Sequence, residues 1–195
     1  QELREVMSYF AVIQAVALGS TTLNEIEQKS SIDRTKLTYY LNNLIELGIL
    51  EKEYPVTMPI KQKAKSRKGL YYLKDSYFRF YFTDMNRFLG ATFEKVCKQF
   101  LIKLKAEGNS PFHFVLIGRW WDKSEEVDIV AFDENNNMLL GECKWTNSTQ
   151  GYKLLDKIIR LNKEVMPDVG NTWYYLFSKS GFTDELIRHA IEQKN

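Results

Sequence analysis

Through the first third of this chain apolar positions return every three or four residues, the period of a helix with one buried face. Glu2 to Leu18 reads as one such helix, with Phe10, Ile13, Val16 and Ala17 inward. Thr22-Leu-Asn-Glu25 is a capping-box pattern that starts a short second helix. A third helix spans Asp33 to Leu47, with Asp33 as N-cap and Gly48 as its stop. Its buried stripe is Leu37, Tyr40, Leu41, Leu44 and Leu47. Ile49 to Val56 then begins a strand, and Leu70 to Leu73 a second. Three helices followed by a β-hairpin make a winged helix.

Beyond the aromatic-rich stretch Asp75 to Asp84 the pattern mixes. Gly90 to Leu104 is helical, with Phe93, Val96, Cys97, Phe100, Leu101 and Leu104 as one stripe. Phe112 to Gly118 reads as a strand, followed by Trp120 and Trp121. Glu126 to Phe132 and Met138 to Trp145 are two more, joined by the hairpin turn Asp133-Glu-Asn-Asn-Asn137. A helix from about Tyr152 to Glu164 has Leu154, Leu155, Ile158, Ile159 and Leu161 inward. Thr172 to Ser178 is a buried strand, and Thr183 to Gln193 a closing helix capped by Thr183 or Ser180. The order is α-β-β-β-α-β-α.

The hairpin brings chemistry into this frame. Side chains alternate along a strand, so Glu142 and Lys144 point the same way. If residue 132 pairs with 138, Asp128 lies opposite Glu142 on that same face. Two carboxylates and an amine then converge among apolar neighbours, where unpaired charges are costly. A divalent metal relieves that cost: Mg²⁺ (or Mn²⁺) binds through one or two carboxylates and activates phosphodiesters toward hydrolysis. In that chemistry Lys144 orients the attacking water or stabilises the phosphoryl charge. A surface hairpin with solvated charges is the competing reading. Glu94, in the first turn of its helix, fits a simple complement to the helix dipole.

The order of elements, with Glu94 on the first helix, Asp128 on the second strand and Glu142-Cys-Lys144 on the third, resembles the PD-(D/E)XK nuclease-like superfamily. More closely, Gly118-Arg-Trp-Trp, Glu126-Val-Asp-Ile-Val-Ala, Gly141-Glu-Cys-Lys-Trp145 and Phe177-Ser-Lys-Ser-Gly-Phe-Thr183 look like the C-terminal domain of unknown function in archaeal-type AAA+ ATPases. The similarity covers roughly residues 75 to 195. It implies a restriction-endonuclease-like fold, with Asp128 and Glu142 as metal ligands and Lys144 as the catalytic lysine. Glu94 matches the first-helix acid of the superfamily and joins the metal set by that match. Many members have lost the acid or the lysine, and this chain retains each.

The phrase Leu44-Ile-Glu-Leu-Gly-Ile-Leu50 resembles winged-helix transcription regulators at the same junction. In such a fold the third helix enters the major groove by its outward residues, here Arg34, Thr35, Thr38, Tyr39 and Asn42, with Lys36 nearby. The wing, Ile60 to Lys74, carries Lys61, Lys63, Lys65, Arg67, Lys68 and Lys74 with no acid among them. That suits phosphates without reading sequence. A solvated loop and a protein-docking face fit the same residues. Charge tempers the DNA reading, since residues 1–75 carry 11 basic and 9 acidic side chains and only the wing is locally basic.

With 44% hydrophobic and 27% charged residues the chain belongs with globular proteins, and the expected location is cytoplasmic. No apolar run reaches membrane-span length and no signal peptide precedes the first helix. Cys97 and Cys143 read as buried thiols of a reducing compartment, and His113 and His189 stand alone. No Gly-x-x-x-x-Gly-Lys phosphate loop occurs. The chain begins at Gln1, so on the ATPase resemblance it is expected to be a fragment whose AAA+ module lies upstream in the same polypeptide. The aromatic stretch at 75–84 reads as interdomain core or, second, as a base-stacking platform. The expectation is therefore a mixed α+β, α/β chain. A winged helix-turn-helix domain occupies 1–74, an aromatic-rich linker helix 75–89, and a restriction-endonuclease-like αβββαβ domain 90–195. It acts on DNA with Mg²⁺ or serves as a catalytically silent interaction module, alone or as a homo-oligomer.

Overall fold

In a computed structural model the chain is a mixed α and β protein of two compact units, and residues 2–63, 66, 68–82, 85–122, 125–166 and 168–193 are described. The first unit holds α1 (Glu2–Ala17), α2 (Leu23–Ser30), α3 (Arg34–Glu46), β1 (Leu50–Glu53), α4 (Ile60–Lys63), β2 (Leu70–Leu73) and α5 (Ser76–Phe82). Local chemistry sets these boundaries. Thr22 accepts from the Glu25 N–H at 3.3 Å while the Glu25 carboxylate accepts from Thr22 N–H at 2.8 Å, closing the capping box of α2. Asp33 accepts from Lys36 N–H at 3.2 Å and starts α3, and Gly48 takes a left-handed φ of 72° just past its end. Val12, Val16, Ile26, Leu37, Leu41, Leu44 and Leu50 fill one core, closed by Tyr71 and Leu73 of the antiparallel β1–β2 pair.

The second unit begins with α6 (Met85–Ala106), grouped with it from Leu89, and continues through β3 (Leu116–Asp122), β4 (Glu125–Phe132), β5 (Met138–Lys144), α7 (Tyr152–Val165), β6 (Thr172–Ser178) and α8 (Asp184–Glu192). Its sheet has the order β3-β4-β5-β6. The first three strands are antiparallel, and β6 runs parallel to β5 after the α7 crossover. Helices cover both faces. Cys97 and Leu101 of α6 pack on Ile129, Ala131, Leu139 and Cys143. Leu161 and Val165 of α7 pack on the opposite face against Val130, Met138 and Leu140. Leu186 of α8 joins Leu155 and Ile158 of α7.

Several boundaries differ from the sequence pattern. The ladder of β3 starts at Leu116, not Phe112, and takes in both tryptophans, because β4 supplies pairing partners all the way from Phe132 to Glu125. The helix before it runs back through Gly90 to Met85, since one internal glycine costs a helix only about 1 kcal/mol. Pro55–Thr57 belong to the second unit, where Val56 N–H donates to the Arg119 carbonyl at 2.9 Å, so the first hairpin strand stops at Glu53. Phe10, Leu47, Val96, Phe100 and Ile159, expected inward, are exposed, and the real apolar stripes are narrower than the periodicity. Strand β6 is half-buried throughout. Among the described residues no helix is long and apolar enough to cross a membrane.

Candidate functional site

The site grows from one hairpin. Asp133 locks the turn, its carboxylate accepting from the N–H groups of Asn135 (2.8 Å) and Asn137 (2.9 Å), and Asn136 takes the left-handed φ of 59° that asparagine tolerates. The register that follows pairs Phe132 with Met138 and ends at Ile129 with Gly141. At Gly141 a Cβ would lie 3.0 Å from the Ile129 Cβ, so the absence of a side chain permits the close crossing. Past this point the ladder is replaced by a side chain. The N–H of Cys143 donates to Asp128 Oδ2 at 2.8 Å.

A bulge re-aims Asp128. Gly118 pairs with Val130 and Trp120 with Val127, leaving β4 one residue longer than β3 between them. Val127 and Val130 therefore both pack on the α7 side. Simple alternation, which expects Asp128 on the face of Glu142 and Lys144, is interrupted at this residue; the expected pairing of Phe132 with Met138 is present, but the ladder ends at Ile129 and Gly141, one pair short of Asp128 and Glu142.

Asp128 and Glu142 are the buried charged residues of the described chain, 7% and 1% exposed. Burial, then the nearby charge of Glu142, pushes the Asp128 carboxyl up to about 6, against the opposing pull of the Cys143 N–H, Lys144 and Arg119. Glu94 on α6 is raised to about 7, first by burial and then by Asp128, with Arg119 and Lys144 opposing. The four sequence-derived residues thus lie within one electrostatic neighbourhood. They do not form a closed cage: among the described residues no three carboxylate, histidine or cysteine groups gather as a metal-holding cluster.

Glu142 carries the sharpest asymmetry. Its Oε1 accepts from Lys144 Nζ and from Lys157 Nζ, each at 2.7 Å, while its buried Oε2 has no hydrogen-bond partner. Burial, the largest single influence, lowers the Lys144 ammonium pKa, but the bond to Glu142 and the charges of Glu142, Asp128 and Glu126 together outweigh it and the net shift is upward. A buried carboxylate with one oxygen unsatisfied, and a second buried carboxylate whose charge the first disfavours, are a donor set that fits a hard divalent cation. Cys97 and Cys143 are free, buried thiols of one apolar cluster between α6 and β5, and each bears on the other's proton affinity, lowering that of Cys97 and raising that of Cys143.

Sequence reasoning missed two residues here. Lys157 lies beside Leu154 and Ile158 on the inward side of α7, and a lysine at the edge of that stripe is the one signal sequence offered for it. Arg119 sits within the Gly118-Arg-Trp-Trp motif; it pairs with Glu126 at 3.1 Å and its charge bears on both Asp128 and Glu94.

The nucleic-acid residues of the first unit are arranged differently. Arg34, Thr35, Lys36, Thr38, Tyr39 and Asn42 are all exposed on α3. Arg34 is held by Glu27 at 2.7 Å and by Asn24, Lys36 lies 3.8 Å from Asp33, and the Thr38 hydroxyl donates to the Arg34 carbonyl. Lys61 and Lys63 stand on α4 and Lys68 is exposed before β2, whereas Lys65 and Arg67 lie outside the described residues.

Residues 65–155 match the DUF234 family, described as archaea bacterial proteins of unknown function. The chain is also 34% identical to an uncharacterized protein of Methanocaldococcus jannaschii over 91% of its own length. It spans 45% of that relative. No solved structure matches it significantly.

Proposed function

We propose that this chain is a nucleic-acid-acting module that hydrolyses phosphodiesters with Mg²⁺ or Mn²⁺ in its second unit and holds DNA with its first. The observation that carries the reading is the pair Asp128 and Glu142, buried at the end of one hairpin with Lys144 alongside and Glu142 Oε2 unpartnered. Asp128 and Glu142 would hold the cation, with Glu94, which feels the charge of Asp128, as the third acid of the set. When bound, such a cation supplies Lewis acidity to the phosphoryl group. The remaining work falls to the chain. Lys144 offers its ammonium to the charge that develops on the phosphoryl oxygens. Glu94, whose carboxyl is raised by burial and by the charge of Asp128, would be relieved of that cost by the same cation. The sheet order, with three antiparallel strands and a parallel fourth between α6 and α7, supports a restriction-endonuclease-like architecture.

The first unit, in which three helices precede a two-stranded antiparallel sheet, supports a winged helix whose α3 face and basic connection contact the phosphate backbone. A longer polypeptide that includes an AAA+ module fits the resemblance and the greater length of the relative, and intracellular work on DNA follows from that context. The test is cleavage of labelled duplex and single-stranded DNA with added Mg²⁺ or Mn²⁺. Asp128→Ala and Lys144→Ala should each abolish it while leaving the fold intact; cutting that survives in both purified variants sinks the proposal.

One observation favours a second reading, a catalytically silent interaction module that binds DNA, a protein or further copies of itself. The acids do not close into a three-ligand cage, and two lysines already neutralise Glu142. Salt-dependent duplex binding without cutting, and without cation binding, would select it.

A further inference from the structure

Lys157 is the residue whose placement the nuclease reading does not by itself explain. It comes from α7, a different element from the hairpin, yet its ammonium reaches the same Glu142 oxygen as Lys144 at the same 2.7 Å. Lysine is costly to immobilise, and its side chain here is only 29% exposed. Two ammoniums share one oxygen of the Glu142 carboxylate, while the second oxygen has no partner. For structural neutralisation alone one lysine suffices. With Lys144 on the same oxygen, Lys157 can leave without stranding a buried anion, which poises it for exchange.

We infer that Lys157 is a positioning residue that occupies Glu142 in competition with the divalent cation, and so sets how tightly the cation is held. Resting on the metal-site reading above, the inference assigns the two lysines different duties. Lys144 is carried by the same strand as Glu142, two residues away, so it stays beside the carboxylate whatever binds. Lys157 has a long side chain on a separate helix and can swing its ammonium away from Oε1 toward solvent or a phosphate. A cation that takes Glu142 must expel this ammonium, which weakens its binding. An incoming phosphate rewards the expulsion by accepting the displaced charge. Cation and nucleic acid then bind with positive coupling, each favouring the form in which Lys157 has left Glu142.

The experiment is calorimetric titration of Mn²⁺ into the full chain, wild type against Lys157→Gln, Lys157→Arg and Asp128→Ala, with thermal unfolding of each at matched Mn²⁺ as a second readout. Lys157→Gln should bind Mn²⁺ about ten- to a hundredfold more tightly than wild type, the scale of one charge-assisted contact removed from competition. It should unfold at lower temperature than wild type without added cation, and gain more from Mn²⁺. Lys157→Arg keeps the competing charge and should restore affinity toward the wild-type value. A merely structural lysine gives the opposite sign, with weaker binding in Lys157→Gln.

The outcomes separate the two claims. If wild type binds, Asp128→Ala does not, and Lys157→Gln binds equally or more weakly, the competition is overturned and the metal site stands. If Mn²⁺ binding is absent from wild type and Lys157→Gln alike, or persists in Asp128→Ala, the metal site itself fails and the competition falls with it. Were Lys157→Gln to misfold, Lys157→Met in its place preserves the stem of the side chain and is read by the same criteria.

Discussion

Arg34 and Glu142 each hold two polar partners, but the Arg34 side chain is 55% exposed and that of Glu142 only 1%. The α3 surface charges are paired with neighbours in sequence or one helix away, Glu27, Asn24 and Asp33, and water screens whatever remains. At the hairpin end, charges from α6, β3, β4, β5 and α7 meet where water is scarce, and the protonation of Glu94 and Asp128 is shifted by burial and by the charges around them. Identical residue types thus do different things. On α3 they form an adaptable surface whose individual members matter little. At Glu142 each is fixed by the others, so one change is felt by all.

The strongest way to sharpen the contrast is cleavage. Lys144→Ala and Asp128→Ala should each lower DNA hydrolysis by at least about a hundredfold, the cost of one preorganised electrostatic contact, while circular dichroism stays native. Arg34→Ala should leave the rate with saturating DNA unchanged.

Stability against pH comes next. Folding raises the proton affinity of Asp128 and Glu94, so the folded state carries extra protons between about pH 4 and pH 7. Stability contributed by these groups is therefore greatest below that window and is lost as pH rises through it. The Asp128 share is about 3 kcal/mol at most. Urea unfolding at pH 5 and pH 8 should show wild type weaker at the higher pH, with a smaller difference in Asp128→Asn. An unchanged difference in that variant would mean Asp128 is not part of the coupled set.

A smaller effect tests the strand crossing. Gly141→Ala sets a Cβ against Ile129 at 3.0 Å and should cost about 1–3 kcal/mol by overpacking, read from the urea midpoint. The smallest belongs to the exposed surface. Lys36→Ala or Lys61→Ala should alter stability by no more than about 0.5 kcal/mol. Each should lower the salt dependence of duplex binding by about one phosphate contact. If either changed stability by several kcal/mol, the division between screened and buried charge would be wrong.

Much of this was legible in the chain. The capping box at Thr22, the cap at Asp33 and the Asp133–Asn137 turn are local, set by side chains within a few residues, and sequence reads them directly. The pairing of Phe132 with Met138 follows from that turn. The bulge at Asp128 does not, because it depends on β3, whose own limits the apolar run 112–118 misplaced. Lys157 was hidden for a related reason. Fifteen residues separate it from Glu142, and only the docking of α7 against the sheet brings them together. Lys65 and Arg67 of the basic connection lie outside the described residues, so that part of the reading rests on sequence alone.

The parallel pairing of β6 with β5 also bears on how the chain reaches its native form. The β4–β5 hairpin closes over five turn residues and can form in microseconds, whereas Lys144 meets Ser178 only after the whole α7 crossover is in place. The helix of that same crossover carries Lys157, so the long-range pairing that joins β6 to β5 also sets the second ammonium against Glu142.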